Sequence, residues 1–370
     1  MKIAYMLGSL NRGGTETLLL DLFSHKELLP DCICIYRRSG VLENDFIQTG
    51  VKIKKIAANS NWFSYLKELR MCLKKEKINL IHAQQPIDAF FALLATVGLS
   101  VRTILTLHGY DFHGGFLAKL ILFFSLKLTR ANIYVSNHVK NYYTKKYKLY
   151  KKKQFVVYNG INLKKIQSVA HNDTLRSELG IDKKTVLMGM VGNFVPGRDH
   201  MTVCRFANTL KEQGSNFHIV FIGKKTDAFP ELFDSCFQYC QQNNLLHHVS
   251  FLGSRDDVPQ LLAQLDLFVY ATDYDTFGIA IVEAMVAGIP VLVNDWEVMY
   301  EISEHGKYVT LYSTKDVNSL LNQFEFVIKN KDAFRVKTIM AKQYAKEKFS
   351  IENHITSLLS VYDKVIYSRN

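Results

Sequence analysis

Thirteen short apolar runs, separated by stretches of helical character, recur along the 370 residues. In order they are KIAYML, CICIY, VKIKKI, NLIHA, VRTILTL, ANIYVS and QFVVY, then TVLMGMVG, FHIVFIG, HVSFLG, LDLFVY, IPVLV and YVTLY. Strands that alternate with helices in this way build parallel sheets of the α/β class. The length predicts two domains of ordinary size, and 48% hydrophobic residues are enough for two cores. The polar, poorly periodic stretch Asn159–Thr174 is the expected linker. Domains are therefore expected over 1–165 and 175–348, with an amphipathic helix at about 350–370 packing back on the first. Two such Rossmann-like sheets would face each other across a central cleft. Ligands bind outside the carboxyl ends of parallel strands and at domain interfaces.

One stretch singles itself out: "TDYDTFGIAIVEAMVAGIPVLV", Thr272 to Val293. It reads as a turn after the strand LDLFVY, then an apolar helix stopped by Gly288 and Pro290, then another strand. A single charge, Glu283, interrupts the helix eight residues after Asp275. A buried carboxylate needs donors. Ligand hydroxyls would serve, and so would a core lysine or arginine. Amides near Thr276, Phe277 and Gly278 at the helix start favour an anion. Two acidic acceptors around an anion-friendly helix end suit a nucleotide sugar, which has hydroxyls at both ends and phosphates between.

Charge is unevenly placed. The first 165 residues hold 26 of the 46 lysines and arginines and 10 of the 34 acidic residues, a balance of +16 against −4 for the remainder. A basic half is expected to meet something anionic. The stretch "NHVKNYYTKKYKLYKKK" interleaves lysine with tyrosine, and "FLAKLILFFSLKL" offers an apolar helix face. Together they point to an anionic membrane surface. Nucleic acid shares that charge preference, but no nucleic-acid motif accompanies it. Lys119 and Lys127 break the longest apolar region, so it cannot span a bilayer. The opening MKIAYMLGSL reads as a first strand rather than a signal peptide. Six scattered cysteines suit a reducing compartment. A cytoplasmic protein, peripheral at the inner face of the cell membrane, is the expectation.

At this point the motifs resemble a known family. "FVYATDYDTFGIAIVEAMVAGIPVLV" resembles the donor-site signature of family 4 glycosyltransferases, which have the GT-B fold. "GSLNRGGTET", "LTLHGYD", "VYNGIN", "MVGNFVPGRDH" and "GSRDDVPQLLAQLDLFVY" resemble further segments of the family in its order. The resemblance implies a retaining transferase that moves a hexose or N-acetylhexosamine from a UDP-sugar, rather than a GDP-sugar, to a lipid-linked or growing glycan in surface polysaccharide synthesis. It implies that Glu283 accepts from the ribose hydroxyls. Asp275, with backbone amides of Thr276, Phe277 and Gly278, would meet the transferred sugar or phosphate. Where the family has an Arg and a Lys after "VG", this chain has Asn193 and Arg198. Arg198 would then neutralise the diphosphate, with Lys224 a candidate for the missing charge. Gly13 and Gly14 would approach the donor closely, and His108 would contact its sugar near the reactive carbon. No cofactor and no metal are implied: "DYD" (Asp273, Asp275) imitates a metal motif, but its context gives Asp275 another task. A sugar-nucleotide epimerase and a non-catalytic nucleotide-sugar-binding subunit are the alternatives, the latter because Asn193 and Asp275 depart from the family pattern.

Overall fold

The computed structural model describes residues 1–58, 61–112, 115–167 and 174–367. The chain forms two compact units, Met1–Ile161 with Ile351–Asn370, and Asn162–Ser350.

All thirteen apolar runs form strands. In the first unit these are β1 (Lys2–Ser9), β2 (Asp31–Arg38), β3 (Lys52–Lys55), β4 (Leu80–Ala83), β5 (Arg102–Leu107), β6 (Ala131–Tyr134) and β7 (Gln154–Val156). They make one parallel sheet in the order β3-β2-β1-β4-β5-β6-β7. Successive strand side chains point to opposite faces, and β1 shows the consequence. Ile3, Tyr5 and Leu7 pack with Leu18, Leu22 and Phe23, and with Ile355, Leu358 and Tyr362 of the C-terminal helix Ile351–Tyr367. Ala4 and Met6 face the other way, onto Tyr65, Leu69, Phe91 and Ala92. The sheet is therefore covered on both sides, as a parallel sheet must be. Hydrogen bonds also tie the C-terminal helix down. Ile351 N–H donates to the Ile161 carbonyl at 3.0 Å, and His82 Nδ1 lies 2.7 Å from the Tyr362 hydroxyl.

In the second unit β8 (Val186–Val191), β9 (Phe217–Ile222), β10 (Val249–Gly253), β11 (Leu267–Tyr270), β12 (Val291–Asn294) and β13 (Thr310–Tyr312) make a parallel sheet in the order β10-β9-β8-β11-β12-β13. The stretch expected to link the domains is only partly a connector. It holds a short helix, Leu163–Gln167, that belongs to the second unit and buries Ile166; residues 168–173 lie outside the described residues.

In both sheets the strand order reverses once, between β1 and β4 and between β8 and β11. Loops leave such a point in opposite directions and open a crevice at the carboxyl ends. Gly13 and Gln84 lie in the loops after β1 and β4; Asn193, Arg198 and Asp275 lie in the loops after β8 and β11.

Candidate active site

In the second unit the loops after β8 and β11 are zipped together. Arg198 and Thr272 form an antiparallel bridge, Asp273 N–H donates to the Gly197 carbonyl at 2.9 Å, and the Thr272 hydroxyl donates to the same carbonyl. Gly197 has φ +93°, and a Cβ there would lie 2.7 Å from the Tyr274 ring. Only glycine allows both the conformation and the approach.

This zipper carries the central pair. Arg198 Nη1 donates to Asp275 Oδ2 at 2.7 Å, and its guanidinium carbon lies 5.1 Å from the centre of the Tyr270 ring. The Tyr270 hydroxyl donates to the same carboxylate oxygen at 2.8 Å. Oδ1 accepts the N–H groups of Thr276 at 2.7 Å and Phe277 at 3.2 Å. The Trp296 indole donates to the Asp275 carbonyl at 3.0 Å. Burial alone would push the Asp275 carboxyl up. The Arg198 charge and these donors outweigh it and hold the carboxyl below its usual range. Burial likewise opposes the Arg198 charge, but Asp275 outweighs it and pushes Arg198 up.

This geometry differs from the sequence expectation in two respects. Asp275 and the amides of Thr276 and Phe277 were expected to meet the ligand, yet here they satisfy one another. A carboxylate only 9% exposed must find donors inside the protein. The helix also starts later than expected. Gly278 is its N-cap, at φ +85°, and the helix runs Ile279–Ala287. Its first-turn amides are therefore those of Ile279 and Ala280. Phe277 is buried and packs edge-on against Phe349, so it anchors the loop.

Glu283 lies one turn into this helix and is half-buried, whereas Ile281, Val282, Ala284, Met285 and Val286 around it are fully buried. It is thus less enclosed than the apolar run suggested. Asn193 and Lys224 meet at the same sheet edge. The Asn193 side-chain oxygen accepts the Lys224 N–H at 3.0 Å, and the Lys224 side chain is exposed. Gly223 allows this contact: a Cβ there would lie 2.0 Å from the Gly192 carbonyl oxygen and 2.9 Å from the Asn193 nitrogen. Gly223→Ala must therefore drive apart the ends of β8 and β9. We expect it to cost about 1–3 kcal/mol of stability and to weaken nucleotide binding roughly tenfold or more. Thermal melts and titration calorimetry with UDP check both.

The carboxylates of "DYD" take separate cations, Asp275 pairing with Arg198 and Asp273 with Lys315 at 3.0 Å. Among the described residues no group of three or more His, Cys, Asp or Glu side chains could hold a metal ion.

In the first unit Gly13 is the N-cap of the helix Gly14–Phe23. The Glu16 carboxylate folds back over it, so that a Cβ on Gly13 would lie 2.5 Å from Glu16 Oε2. Burial pushes the Glu16 carboxyl up. His108 follows β5, and its Nε2 lies 2.9 Å from Gln84 Oε1. Burial, aided by His354, lowers its imidazole to about 4, so it is neutral at physiological pH. Asp111 serves the fold: it accepts from the Tyr142 hydroxyl at 2.6 Å, from Lys146 Nζ at 2.9 Å and from the Tyr147 hydroxyl. These contacts change the reading of the Lys/Tyr-rich segment. Tyr142, Tyr143 and Tyr147 turn inward, because a phenol that buries its ring takes its hydroxyl to a partner. Lys145, Lys148, Lys151, Lys152 and Tyr150 remain exposed.

Tyr270, Trp296 and Gln84 do not stand out in the sequence. Each reads there as a core or loop residue, and only its hydrogen bond shows what it holds.

Two parallel-sheet units of this topology are the architecture of GT-B glycosyltransferases. Superposition supports it: HepE of Anabaena, in complex with UDP and glucose, matches with a TM-score of 0.88 over 98% of this chain and 100% of that one, at 18% identity. Residues 32–165 match the family model "Glycosyltransferase Family 4", and residues 171–348 match "Glycosyl transferases group 1". The chain belongs to glycosyltransferase family 4. Among its relatives, the UDP-Gal:alpha-D-GlcNAc-diphosphoundecaprenol alpha-1,3-galactosyltransferase of Escherichia coli is 23% identical over 100% of this chain and 98% of its own length. "Putative glycosyltransferase EpsF" of Bacillus subtilis (strain 168) is 23% identical over 80% of this chain and 79% of its own.

Proposed function

We propose that the protein transfers a hexose or N-acetylhexosamine, with retention, from a UDP-sugar to a lipid-linked or growing glycan during surface polysaccharide synthesis. The observation that carries this reading is the Arg198–Asp275 pair at the strand reversal, one loop away from the helix that bears Glu283. Glu283 grips the ribose. Arg198, assisted by Lys224 and the Asn193 loop, neutralises the diphosphate. Asp275 sets the direction of the Arg198 fork and shapes the sugar subsite. Gly13, Gly14 and His108, at the strand ends of the first unit, are that unit's candidates for contact with the donor.

In the transfer, the bond between the sugar's anomeric carbon and the diphosphate breaks, and UDP leaves with the electron pair. The acceptor oxygen bonds to that carbon on the same face, and its proton passes to a diphosphate oxygen. Charge stabilisation and positioning then supply the catalysis. No metal is required in this scheme, because arginine and lysine carry the positive charge and the "DYD" carboxylates already have cations.

The acceptor side favours a membrane surface. The helix Phe116–Leu128 leaves Phe116 81%, Leu117 68% and Leu128 58% exposed, with Lys119 and Lys127 beside them. Among the described residues no helix is long and apolar enough to cross a bilayer. An apolar face set among lysines lies in the interface of an anionic leaflet, which suits a peripheral enzyme at the cytoplasmic face. The E. coli relative, whose named acceptor is a diphosphoundecaprenol, is consistent with that.

A thermal-shift screen with UDP- and GDP-sugars, followed by product analysis, tests the reading. A ligand that binds the native state raises the melting temperature by mass action. The expected result is a UDP-sugar hit and a glycosylated acceptor. A free epimer without acceptor, or no stabilisation by any nucleotide sugar, overturns it.

A further inference from the structure

Gln84 stands just beyond the end of β4, at the strand reversal of the first unit, and is 4% exposed. Its side-chain oxygen lies 2.9 Å from His108 Nε2. Its amide nitrogen is buried and has no hydrogen-bond partner among the described residues. We infer that Gln84 is a positioning residue for His108: by accepting the Nε2 proton it fixes the ring in one neutral tautomer and one orientation, with Nδ1 as the acceptor nitrogen. The inference rests on the placement of His108 beside the donor sugar.

Three observations lead there. First, as a contribution to folding, Gln84 is a poor choice. A buried amide NH2 without a partner costs about what one hydrogen bond returns, and an apolar side chain of the same length would avoid the conflict. A residue that gives little to stability yet holds a ring at a ligand-binding edge is better explained by what it holds. Second, the ring is neutral, because burial and His354 keep its pKa at about 4. In a neutral imidazole one nitrogen donates and the other accepts, and the partner of the first decides which. Third, the neighbouring His82 on β4 is engaged elsewhere, between the Tyr362 and Thr106 hydroxyls, so it is Gln84 that meets His108 Nε2.

The test is Gln84→Met, which keeps length and loses the acceptor. In protein labelled with 15N at histidine, the His108 ring is expected to change from a single Nε2–H tautomer to a mixture. The melting temperature should stay within about 2 °C. Turnover with the UDP-sugar chosen by the thermal screen should fall roughly 10- to 100-fold. If Gln84 acts through His108, Gln84→Met adds nothing further in a His108→Ala background. An unchanged His108 spectrum, or the same loss of turnover in both backgrounds, overturns the inference. Full turnover in His108→Ala alone instead overturns the placement of His108 at the donor, and the spectrum still reports the Gln84 contact separately.

Discussion

Glu283→Ala is expected to abolish measurable UDP binding while leaving the melting temperature nearly unchanged. The reasoning starts from the helix. Ile279–Ala287 is stopped by Gly288 in the left-handed region, and all its side chains except Glu283 are small or apolar. One carboxylate can accept both hydroxyls of a ribose, and hydrogen bonds to a charged group contribute about 1.5–3 kcal/mol each. Losing both weakens binding on the order of 10² to 10⁴-fold, since 1.4 kcal/mol is a factor of ten. Glu283→Gln keeps the reach and an acceptor oxygen but not the charge, so it should fall between wild type and Glu283→Ala. The competing idea, a structural ion pair, predicts the reverse pattern of a lower melting temperature with binding intact. Titration calorimetry with UDP, set beside a thermal melt of the same variants, separates them. An isotherm for Glu283→Ala that overlays wild type removes the ribose assignment.

Apart from the edge strand β3, whose three lysines are exposed, the strands were legible in the sequence for a simple reason. A strand covered on both faces must be apolar at nearly every position, and a run of four to eight such residues between polar segments fits little else in an alternating chain. The boundaries of loops and linkers obey no such rule. Asn159–Thr174 looked like a tether because it is polar, yet its helix Leu163–Gln167 buries Ile166 and belongs to the second unit. The site was legible in part. Arg198, Asp275 and Glu283 stand out because charge is conspicuous in an apolar context. What they do to one another was not legible. Tyr270 ends an apolar run and reads as core, but its hydroxyl demands a partner and finds the Asp275 carboxylate. Trp296 lies beyond the next strand, and its indole N–H reaches the Asp275 carbonyl. Gln84 was hidden because an amide beside a strand end carries no periodic signal. The Lys/Tyr-rich segment misled in the opposite direction: three of its four tyrosines are spent on Asp111 and the protein interior.

Arg198→Met is expected to damage both the fold and the chemistry, and pH separates the two. Removing one partner of a buried pair leaves the other charge uncompensated, which costs about 3–5 kcal/mol. The Arg198 side chain is 25% exposed, so the low end, about 3 kcal/mol, applies here. The sign of the pH dependence follows from Asp275. In the wild type its carboxyl is held below the usual range, so the stability it contributes is present above the unfolded-state value and is lost as pH falls through the lower folded one. In Arg198→Met, burial without the cation pushes the same carboxyl up, so the variant loses stability as pH rises toward neutrality and regains it in acid. The gap in stability between the two proteins should therefore be widest near pH 7–8 and narrow on acidification toward the ordinary carboxylate range near pH 4. Denaturant titrations at several pH values measure it, and a gap that stays constant would show that Asp275 draws no stabilisation from Arg198. Arg198→Lys isolates the chemistry. It keeps a charge beside Asp275, so most of the stability should return. It loses the planar fork that spans Asp275 and a phosphate oxygen together. Turnover should then remain roughly 10²-fold below wild type, the size of effect seen when one preorganised donor to developing charge is removed. If Arg198→Lys recovers stability and full turnover alike, a point charge suffices at this position, and the fork is not what the Arg198–Asp275 pair exists to aim.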